Sequence, residues 1–402
     1  MPWRGAQNDE PRALECEPAS TVDRLPASLH VAVDARTVYA PTRRGTGKNL
    51  VDLYTTMARQ RPSWRFTLFH QRQADDPFVG LTNVRAKRID IKGDRLNLWQ
   101  DVRLPLAAAM SGADVLHCPA NTAPKWTATP TVVTIHDLTP LDITPDAPET
   151  KAWVERVGRG GHRAKRIITP SDFTRRRLIA QFNLPADRIT VNPWAPAQNC
   201  HRVDDPRVLA GLRAKYEIPE GRQYVMTFGA ADPYKNTLGV LDAWAQIAPE
   251  VAAVSHLLIV GVQPVAQPRL REQAAARLDG RSYGLHGFVP EADISGLLSG
   301  ASSLCFPSKA EGFGLPILDA FVCGTPVITS DRTSLPEVAG DAAWLVDPDQ
   351  PRTIADGIEG ILRSAETRYQ LREAGDRRLA AFSWDRCAQT AATVLAAAAA
   401  GK

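Results

Sequence analysis

The sequence of 402 residues lacks any apolar run close to the roughly 18 residues that cross a membrane as a helix. Any membrane contact is therefore expected to be peripheral. Residues 1–27 are polar and contain no apolar core segment, so they are predicted to form a disordered tail and not a secretory signal. These absences favour a cytoplasmic protein, or one at the inner face of the membrane.

Cysteine is scarce and scattered. The six cysteines show neither a CxxC pair nor the spacing of metal ligands: Cys16, Cys118, Cys200, Cys305, Cys323 and Cys387. Several lie in apolar runs, so we expect reduced and mostly buried thiols, as in cytosolic proteins. The sequence predicts neither a disulfide framework nor a cysteine-bound metal.

Charge of one sign is not in large excess. The formal net charge of +4 is too small to indicate a nucleic-acid partner. Basic residues cluster only between Lys151 and Arg177, a pattern typical of a solvated helix face or of a surface that contacts anionic lipid. The apolar and charged fractions, 44% and 23%, are those of a soluble globular protein, and the length predicts about two domains.

Two nucleotide-binding fingerprints are also missing. No predicted strand is followed by Gly-x-Gly-x-x-Gly with an acidic residue about 20 positions later, which argues against a nicotinamide cofactor. Residues 45–49 (GTGKN) resemble half of a phosphate-binding P-loop, but Thr42 and Asn49 replace the glycine and the Ser or Thr that an NTPase needs. What remains is a glycine loop before a helix predicted over residues 50–58. This loop either offers N–H groups to a phosphate or sugar, or makes a turn that needs small residues.

From residue 29 onward, short β-branched runs alternate with helical stretches, as in parallel sheets covered by helices on both faces. Strands are predicted at residues 29–34, 65–70, 115–118, 131–136, 166–169 and 189–192, and again at 225–229, 257–261, 284–288, 303–307, 326–330 and 343–346. Between the two sets, the proline-containing residues 192–198 are predicted to form a hinge. The sequence thus predicts two doubly wound, Rossmann-like α/β domains, residues 28–193 and 194–382, that face each other across a ligand-binding cleft.

Residues 308–320 (SKAEGFGLPILDA) form the most informative segment. They place Glu311, Gly312 and Gly314 directly before an apolar helix that begins with a proline. The glycines allow close backbone approach, and the helix start favours an anion. An anion site beside a carboxylate suits a sugar attached to a diphosphate, and Asp319, further along the helix, can reach a second set of hydroxyls. An ordinary strand-to-helix loop is the alternative.

With these features in order, the chain resembles the retaining, nucleotide-sugar-dependent glycosyltransferases of the GT-B fold, specifically family four. The resemblance runs from about residue 29 to the end of the chain and is strongest in the second half. The matching motifs are Gly229, Lys235-Asn236, residues 287–290, residues 307–308 with 311–316, residues 324–327 and residues 336–338. The resemblance implies that the second domain binds the donor, that the first binds the acceptor, and that a helix over residues 383–402 crosses back to the first domain.

The resemblance also implies roles for single side chains. Glu311 is expected to lie against the donor sugar, Asp319 to hold the ribose, and Lys235 to neutralise the diphosphate. From the first domain, His136 is expected to contact the donor sugar and phosphate. His117, one strand earlier, is interpreted as a structural residue. The predicted catalytic residues are therefore His136, Glu311 and Lys235.

The remaining donor-binding positions follow from the same resemblance. They are Gly45, Gly47, Gly229, Gly287, Val289, Gly312, Phe313, Gly314 and Leu315. The family often has an arginine near the lysine, but here those positions are Ala230 and Tyr234. Neutralisation of the diphosphate is then expected from Lys235 and the helix terminus, with Lys309 as a further candidate. Residues 347–349 (DPD) mimic a metal motif but are interpreted as a proline turn, so neither a metal nor another cofactor is expected.

The predicted function is retaining transfer of a sugar from a nucleotide-sugar donor to a saccharide or polyprenyl-diphosphate-linked acceptor in bacterial polysaccharide biosynthesis. Residues 136–140, with Trp99 and residues 103–105, resemble bacterial enzymes that use GDP-mannose or a deoxysugar donor, and GDP-mannose is the favoured donor. No pair of carboxyls suggests a double displacement. Two alternatives remain: another GT-B enzyme, such as a sugar-nucleotide epimerase or a phosphorylase, and an inactive nucleotide-sugar-binding protein.

Overall fold

A computed structural model describes residues 25–40, 43, 45–72, 75–90 and 97–401. Most of the predicted tail, together with Cys16 and Thr42, lies outside the described residues. Within them, the chain divides into two compact units. The first unit comprises residues up to Ala197 together with the segment from Phe382 onward, and the second comprises Gln198–Ala381.

The first unit contains a seven-stranded, all-parallel sheet in the order β3-β2-β1-β4-β5-β6-β7. Its strands are β1 (His30–Asp34), β2 (Arg65–His70), β3 (Val84–Arg88), β4 (Val115–Cys118), β5 (Thr131–Thr134), β6 (Arg166–Thr169) and β7 (Ile189–Val191). All six predicted strands are confirmed. The sequence did not reveal β3, because this edge strand (VRAKR) is charged and exposed and therefore has no apolar run.

Helices cover this sheet: α1 (Gly45–Gln60), α2 (Leu104–Met110), α3 (Thr139–Ile143), α4 (Pro148–Arg163) and α5 (Asp172–Phe182). A π-helical turn, Trp99–Arg103, leads directly into α2. The strand order reverses between β1 and β4, so their carboxyl ends border the crevice where α/β sheets bind ligands.

The second unit contains a six-stranded parallel sheet in the order β10-β9-β8-β11-β12-β13. Its strands are β8 (Gln223–Phe228), β9 (Ser255–Val260), β10 (Tyr283–Leu285), β11 (Ser303–Phe306), β12 (Val327–Ser330) and β13 (Ala343–Val346). All six were predicted, with ends that differ by a few residues. The prediction of two parallel-sheet α/β domains is therefore confirmed.

The unit contains nine α-helices, of which the first precedes β8 and the last two follow β13: α6 (Pro206–Lys215), α7 (Thr237–Gln246), α8 (Pro249–Ala252), α9 (Gln267–Leu278), α10 (Glu291–Ser299), α11 (Leu315–Val322), α12 (Leu335–Ala339), α13 (Pro351–Arg363) and α14 (Ala365–Leu379). Short 3₁₀ turns occur at Pro233–Lys235 and Pro264–Ala266. The core of this unit is apolar on the sheet and helix surfaces that meet, with Trp244 fully buried at its centre.

The last helix, α15 (Trp384–Ala400), belongs to the first unit. It packs against α1 and against strands β4, β5 and β6. Trp384 Nε1 donates to the Pro196 carbonyl at 2.7 Å, and Asn192 Nδ2 donates to the Cys387 carbonyl at 3.1 Å. The segment predicted as a hinge is thus tied to α15. In the described part of the chain, no helix is both long and apolar enough to cross a membrane.

Candidate active site

Two of the predicted catalytic residues contact each other in the second unit. Lys235 Nζ donates to Glu311 Oε1 at 2.7 Å, and both side chains are largely buried. Lys235 lies on the 3₁₀ turn that follows β8, and Glu311 lies in the loop that follows β11. Because β8 and β11 are hydrogen-bonded neighbours in a parallel sheet, the loops at their carboxyl ends meet.

The groups around Lys235 keep its side chain protonated. Burial acts to lower the pKa of the ammonium, but the charge and hydrogen bond of Glu311 prevail and raise the pKa above its ordinary value. The rings of Tyr234 and Phe306 lie 5.1 and 5.6 Å from Nζ and add cation–π attraction. Tyr234, which occupies a position where the family often has arginine, therefore supports the lysine with an aromatic face. Lys235 is charged at neutral pH and suited to a diphosphate.

The loop before α11 has the geometry that its glycines predict. Gly314 adopts φ +113° at the N-cap, and a Cβ there would lie 2.6 Å from Leu335 Cδ2, so only glycine fits. Ser334 Oγ donates to the carbonyls of Glu311 and Phe313 at 2.9 and 3.0 Å. Ser334, which the sequence reasoning missed, thus fixes the loop from outside the motif. The loop directs the start of α11, where backbone N–H groups favour an anion.

Asn236 joins three strand ends around this loop. The residue is buried and left-handed, with φ +59°. Its Nδ2 donates to the Pro307 carbonyl after β11 at 3.1 Å and to the Pro348 carbonyl after β13 at 2.7 Å. The matching motif includes Asn236, but its role as a brace for Lys235 required the tertiary structure.

The other predicted donor-binding residues of this unit line the same strand ends or pack nearby. Asp319 lies on α11 one turn after Leu315 and is half-buried. A Cβ on Gly229 would lie 2.6 Å from Ile259 Cγ2, and one on Gly287 would lie 2.8 Å from Gln267 Nε2. Packing therefore requires glycine at position 229, whereas the flexible end of the Gln267 side chain can move away from a Cβ at position 287. Val289 and Phe313 are buried, and Gly312 lies within the loop before α11.

The DPD segment and Lys309 form a salt-bridge cluster. Lys309 Nζ lies 2.7 Å from Asp349 Oδ1, and Arg332 pairs with Asp349 and, at 2.6 Å, with Asp347. Both aspartates thus have cationic protein partners. Lys309 would have to leave Asp349 to reach a diphosphate. Among the described residues, no group of three or more His, Cys, Asp or Glu side chains is arranged to hold a metal ion.

His136 lies in the first unit, just after β5. Its Nε2 is 2.7 Å from the Pro119 carbonyl, which can only accept, so the ring carries its proton on Nε2. Burial lowers the pKa of His136, although Pro119 and Asp137 act to raise it. The ring stacks on Trp194 with centroids 5.7 Å apart. A neutral His136 with Nε2 engaged offers Nδ1 as an acceptor, which suits a sugar hydroxyl better than a phosphate oxygen.

His117 is a structural residue, as predicted. It is fully buried, its Nδ1 contacts the Tyr54 hydroxyl, and its Nε2 lies 2.8 Å from Thr134 Oγ1. Burial, with a smaller contribution from His136, lowers the pKa of His117 to about 3. Both ring nitrogens therefore have partners, and the ring stays neutral.

The prediction of a glycine loop at residues 45–49 is wrong in form. Helix α1 begins at Gly45 itself, not at residue 50. A Cβ on Gly47 would lie 2.3 Å from the Thr37 carbonyl oxygen, so this first turn packs closely against the preceding chain. Gly45 has no such neighbour within 4 Å. The first-turn N–H groups of a helix have no partner within it, so the donors that a loop would offer come from the helix start instead.

A cavity of about 330 Å³ opens at the carboxyl ends of β1 and β4, at the reversal point of the first sheet. Its lining consists of Arg36, Asn97, Gln100, Ala120, Thr122, Glu149, Ala152, Trp153 and Arg156. Buried Gln100 donates to Thr122 and accepts from Arg156, which orients that guanidinium. Arg36 pairs bidentately with Asp34 at 2.9 and 2.6 Å. The sequence did not predict these residues as a site. The only indication was that several polar side chains follow strands or lie on α4.

Two family sequence models match the chain, one in each half. The model described as Glycosyltransferase Family 4 matches residues 43–194, and that described as Glycosyl transferases group 1 matches residues 211–378. Together they cover most of the chain. The chain belongs to the GT-B glycosyltransferases of family four.

Curated relatives of this family member include bacterial mannosyltransferases. The chain is 34% identical to O-antigen chain mannosyltransferase B of Escherichia coli over 225 residues. The aligned region covers 56% of the chain and 58% of the relative. It is 27% identical to the serotype-specific mannosyltransferase WbdA of Escherichia coli over 285 residues, and that alignment covers 68% of the chain and 34% of WbdA. The chain thus spans between about a third and three-fifths of the length of these relatives.

Solved structures show the same fold across nearly the whole chain. A sucrose-phosphate synthase from Thermosynechococcus elongatus aligns with a TM-score of 0.73 at 19% identity, covering 93% of this chain and 100% of that one. WaaG, a glycosyltransferase involved in lipopolysaccharide biosynthesis, aligns with a TM-score of 0.72 at 14% identity, covering 91% and 99%. These likenesses establish the GT-B fold of this family-four chain.

Proposed function

We propose that the chain is a retaining glycosyltransferase that moves a hexose, with mannose from GDP-mannose favoured, to a saccharide or lipid-linked acceptor in bacterial polysaccharide biosynthesis. The observation that carries the proposal is the contact between Lys235 and Glu311 beside the Gly314-capped start of α11. It joins a cation for a diphosphate with a carboxylate for sugar hydroxyls. Relatives named as mannosyltransferases support mannose as the transferred sugar.

In the proposed reaction, the bond between the anomeric carbon and the diphosphate oxygen breaks while the acceptor oxygen bonds to the same face of that carbon. The acceptor's proton passes to the departing diphosphate oxygen. Lys235 and the start of α11 stabilise the negative charge that develops there. A double displacement would need two carboxyls about 5 Å apart. Glu311 is instead paired with a lysine, which favours the front-face route.

The acceptor saccharide is proposed to bind in the cavity between β1 and β4. Trp153 offers an apolar ring, while Arg36 and Arg156 offer donors and Glu149 offers acceptor oxygens. Asp34 pairs with Arg36 at 2.6 Å, and Asp101 lies 3.9 Å from Arg156, so nearby carboxylates offset both guanidinium charges. A cavity with an aromatic ring and balanced charge suits sugar hydroxyls better than an isolated phosphate.

The proposal is tested with the full chain and radiolabelled nucleotide sugars, namely GDP-mannose, UDP-glucose and a deoxysugar donor, with mannosylated oligosaccharides as acceptors. We expect transfer from GDP-mannose and an α-linked product, identified by NMR, with Lys235→Ala as the inactive reference. Free nucleotide formed with an epimerised sugar and no acceptor would indicate an epimerase. Nucleotide binding with no turnover of any donor would indicate a binding protein.

The same assay tests the proposal that no metal takes part. Lys235 and the start of α11 supply positive charge at the diphosphate, so turnover should be unchanged when a chelator is added. Loss of turnover that manganese or magnesium restores would contradict this and would make Asp347 and Asp349 candidate ligands.

A further inference from the structure

Most basic residues of the cluster between Lys151 and Arg177 pair with carboxylates, but Arg163, Lys165 and Arg166 form no ion pair with the described residues. Its ion pairs are Lys151 with Asp146, Arg159 with Glu155, Arg175 and Arg176 with Asp172, and Arg177 with Asp142. Of the two readings that the sequence left open, these pairs favour a solvated helix face.

A row of exposed apolar side chains lies on the helical segment formed by the π turn Trp99–Arg103 and α2. Its members recur every four residues and are exposed to 46, 37, 44 and 87%: Leu98, Val102, Leu106 and Met110. Trp99, Leu104 and Ala108 on the same segment are fully buried in the core of the first unit. The segment is therefore apolar on both its inner and outer sides. We call the four outer residues the apolar stripe.

Basic side chains lie on the sheet face that this segment covers. Lys87 of β3 is paired in register with Phe69 of β2, and its Nζ lies 6.0 Å from the centre of the Phe69 ring. Phe69 belongs to the same core cluster as Trp99. Side chains paired in register project from one face, so Lys87, and Arg85 two residues before it, lie on that face.

Arg103, on the segment itself, is also exposed. Within the described residues, no carboxylate forms an ion pair with Arg85, Lys87 or Arg103. These three basic residues thus lack a carboxylate partner in the described chain, whereas five residues of the other cluster each have one: Lys151, Arg159, Arg175, Arg176 and Arg177.

An exposed tryptophan lies beside the same segment. The Lys125 backbone N–H donates to Asp101 Oδ1 at 3.1 Å, which fastens the loop after β4 to the π turn. The next residue, Trp126, is 49% exposed. Exposed tryptophan, aliphatic and basic side chains together are the composition of a helix that lies in a membrane interface.

We propose that the apolar stripe and Trp126 insert into the headgroup region of a bilayer that contains anionic phospholipid, with Arg85, Lys87 and Arg103 against the lipid phosphates. Charge complementarity selects this partner, because the flanking charges of the stripe are basic. The proposal does not depend on the proposed reaction, since it concerns only where the first unit contacts lipid.

The test is co-sedimentation of the full chain with vesicles of phosphatidylcholine and phosphatidylglycerol, compared with vesicles of phosphatidylcholine alone. Met110→Glu should lower partitioning to the anionic vesicles by roughly 10-fold or more, because it places a carboxylate where an apolar side chain enters the interface. Val265→Glu is the matched control, since Val265 in the second unit is 86% exposed and Met110 is 87% exposed. The control should partition like the parent, and all three proteins should melt alike.

A second arm tests the charges. Arg85→Ala and Lys87→Ala should each lower partitioning about 5-fold, the effect of removing one basic residue near an anionic surface. Added salt should weaken the binding of the parent. The proposal is overturned if the parent ignores anionic vesicles, binds both vesicle types equally, or loses binding as much with Val265→Glu. It is also overturned if the stripe instead joins two copies, seen as a dimer that Met110→Glu dissociates in light scattering without any vesicle binding.

Discussion

The two units form their candidate sites differently: the second around a loop and the start of α11, and the first around a cavity lined by side chains at two strand ends. In the second unit, Lys235 and Glu311 were predicted from short motifs and lie in hydrogen-bond contact. In the first unit, the predicted glycine loop is a helix start, and the cavity between β1 and β4 was not predicted. The difference is physical. A site formed by backbone N–H groups needs glycine and proline at fixed spacing, and that spacing is visible in the sequence. A site formed by side chains can use residues after any strand, so no spacing reveals it.

The largest expected effect is a loss of stability in the first unit but not in the second. A chain cut after Ala381 lacks α15, whose Ala388, Ala391 and Leu395 are fully buried in the first unit. We expect the first unit to lose at least about 5 kcal/mol, since several large core contacts disappear together. The second unit should keep its protection in hydrogen exchange measured by mass spectrometry. Parental melting temperature and activity in the cut chain would show that α15 is dispensable.

The next effect tests whether both units serve one chemical step. Glu311→Gln and His136→Ala should each lower single-turnover transfer on the order of 10², the scale of one lost electrostatic contact in an active site. Calorimetric affinity for the nucleoside diphosphate should stay within a few-fold. His162→Ala, an exposed histidine of the first unit, is the control. Near-parental turnover of either variant would place the reaction centre elsewhere.

Donor binding should depend on the second unit. Asp319→Ala is expected to raise the donor dissociation constant roughly 10-fold, in line with the loss of a charge-assisted hydrogen bond to the ribose. Asp356→Ala, an exposed aspartate on α13, is the matched control. If calorimetry finds the same nucleotide affinity for Asp319→Ala and the parent, the ribose is held by another residue.

A buried neutral histidine in each unit allows a comparison by pH. Burial lowers the pKa of His117 to about 3 and, with Arg222 as the next cause, that of His256 to about 4, from 6.5. Below pH 6.5 these two histidines bind protons in the unfolded chain but not in the folded one. Their contribution to the free energy of unfolding is therefore complete above that pH and is lost as the pH falls. His117→Gln should remove about 1.4 kcal/mol per pH unit of this slope near pH 5.

The readout for the histidine pair is urea unfolding followed by hydrogen exchange in each unit. His117→Gln should flatten the slope in the first unit alone, and His256→Gln should do so in the second alone. An unchanged slope in the first unit would mean that His117 is protonated in the folded protein.

The smallest effect concerns the acceptor. Trp153→Ala should raise the acceptor KM about 5-fold and leave the donor dissociation constant unchanged, because an aromatic ring in a sugar site contributes about 1 kcal/mol. Tyr369→Ala, an exposed aromatic residue of the second unit, is the control. A change in donor affinity with Trp153→Ala would place the cavity in the donor site. The two units would then not divide donor and acceptor binding between them.

The sequence predicted most of the fold because strands and helices are local. Twelve predicted strands exist, since a buried parallel strand is a short apolar run whatever its neighbours are. Strand β3 escaped because an edge strand is exposed and carries charges. Likewise, α1 was started too late because Gly45 and Gly47 suggest a turn, and only contact with the Thr37 carbonyl explains Gly47 within a helix.

By itself, the sequence determined the parallel-sheet architecture, the family, and the loop before α11, because each depends on residue type at short spacing. Only the tertiary structure decided which distant groups meet. Ser334 fixes the loop of Glu311, Asn236 joins three strand ends, and Gln100 orients Arg156. Such contacts follow from strand order and packing, and a polar residue after a strand looks the same in the sequence whether or not a partner reaches it.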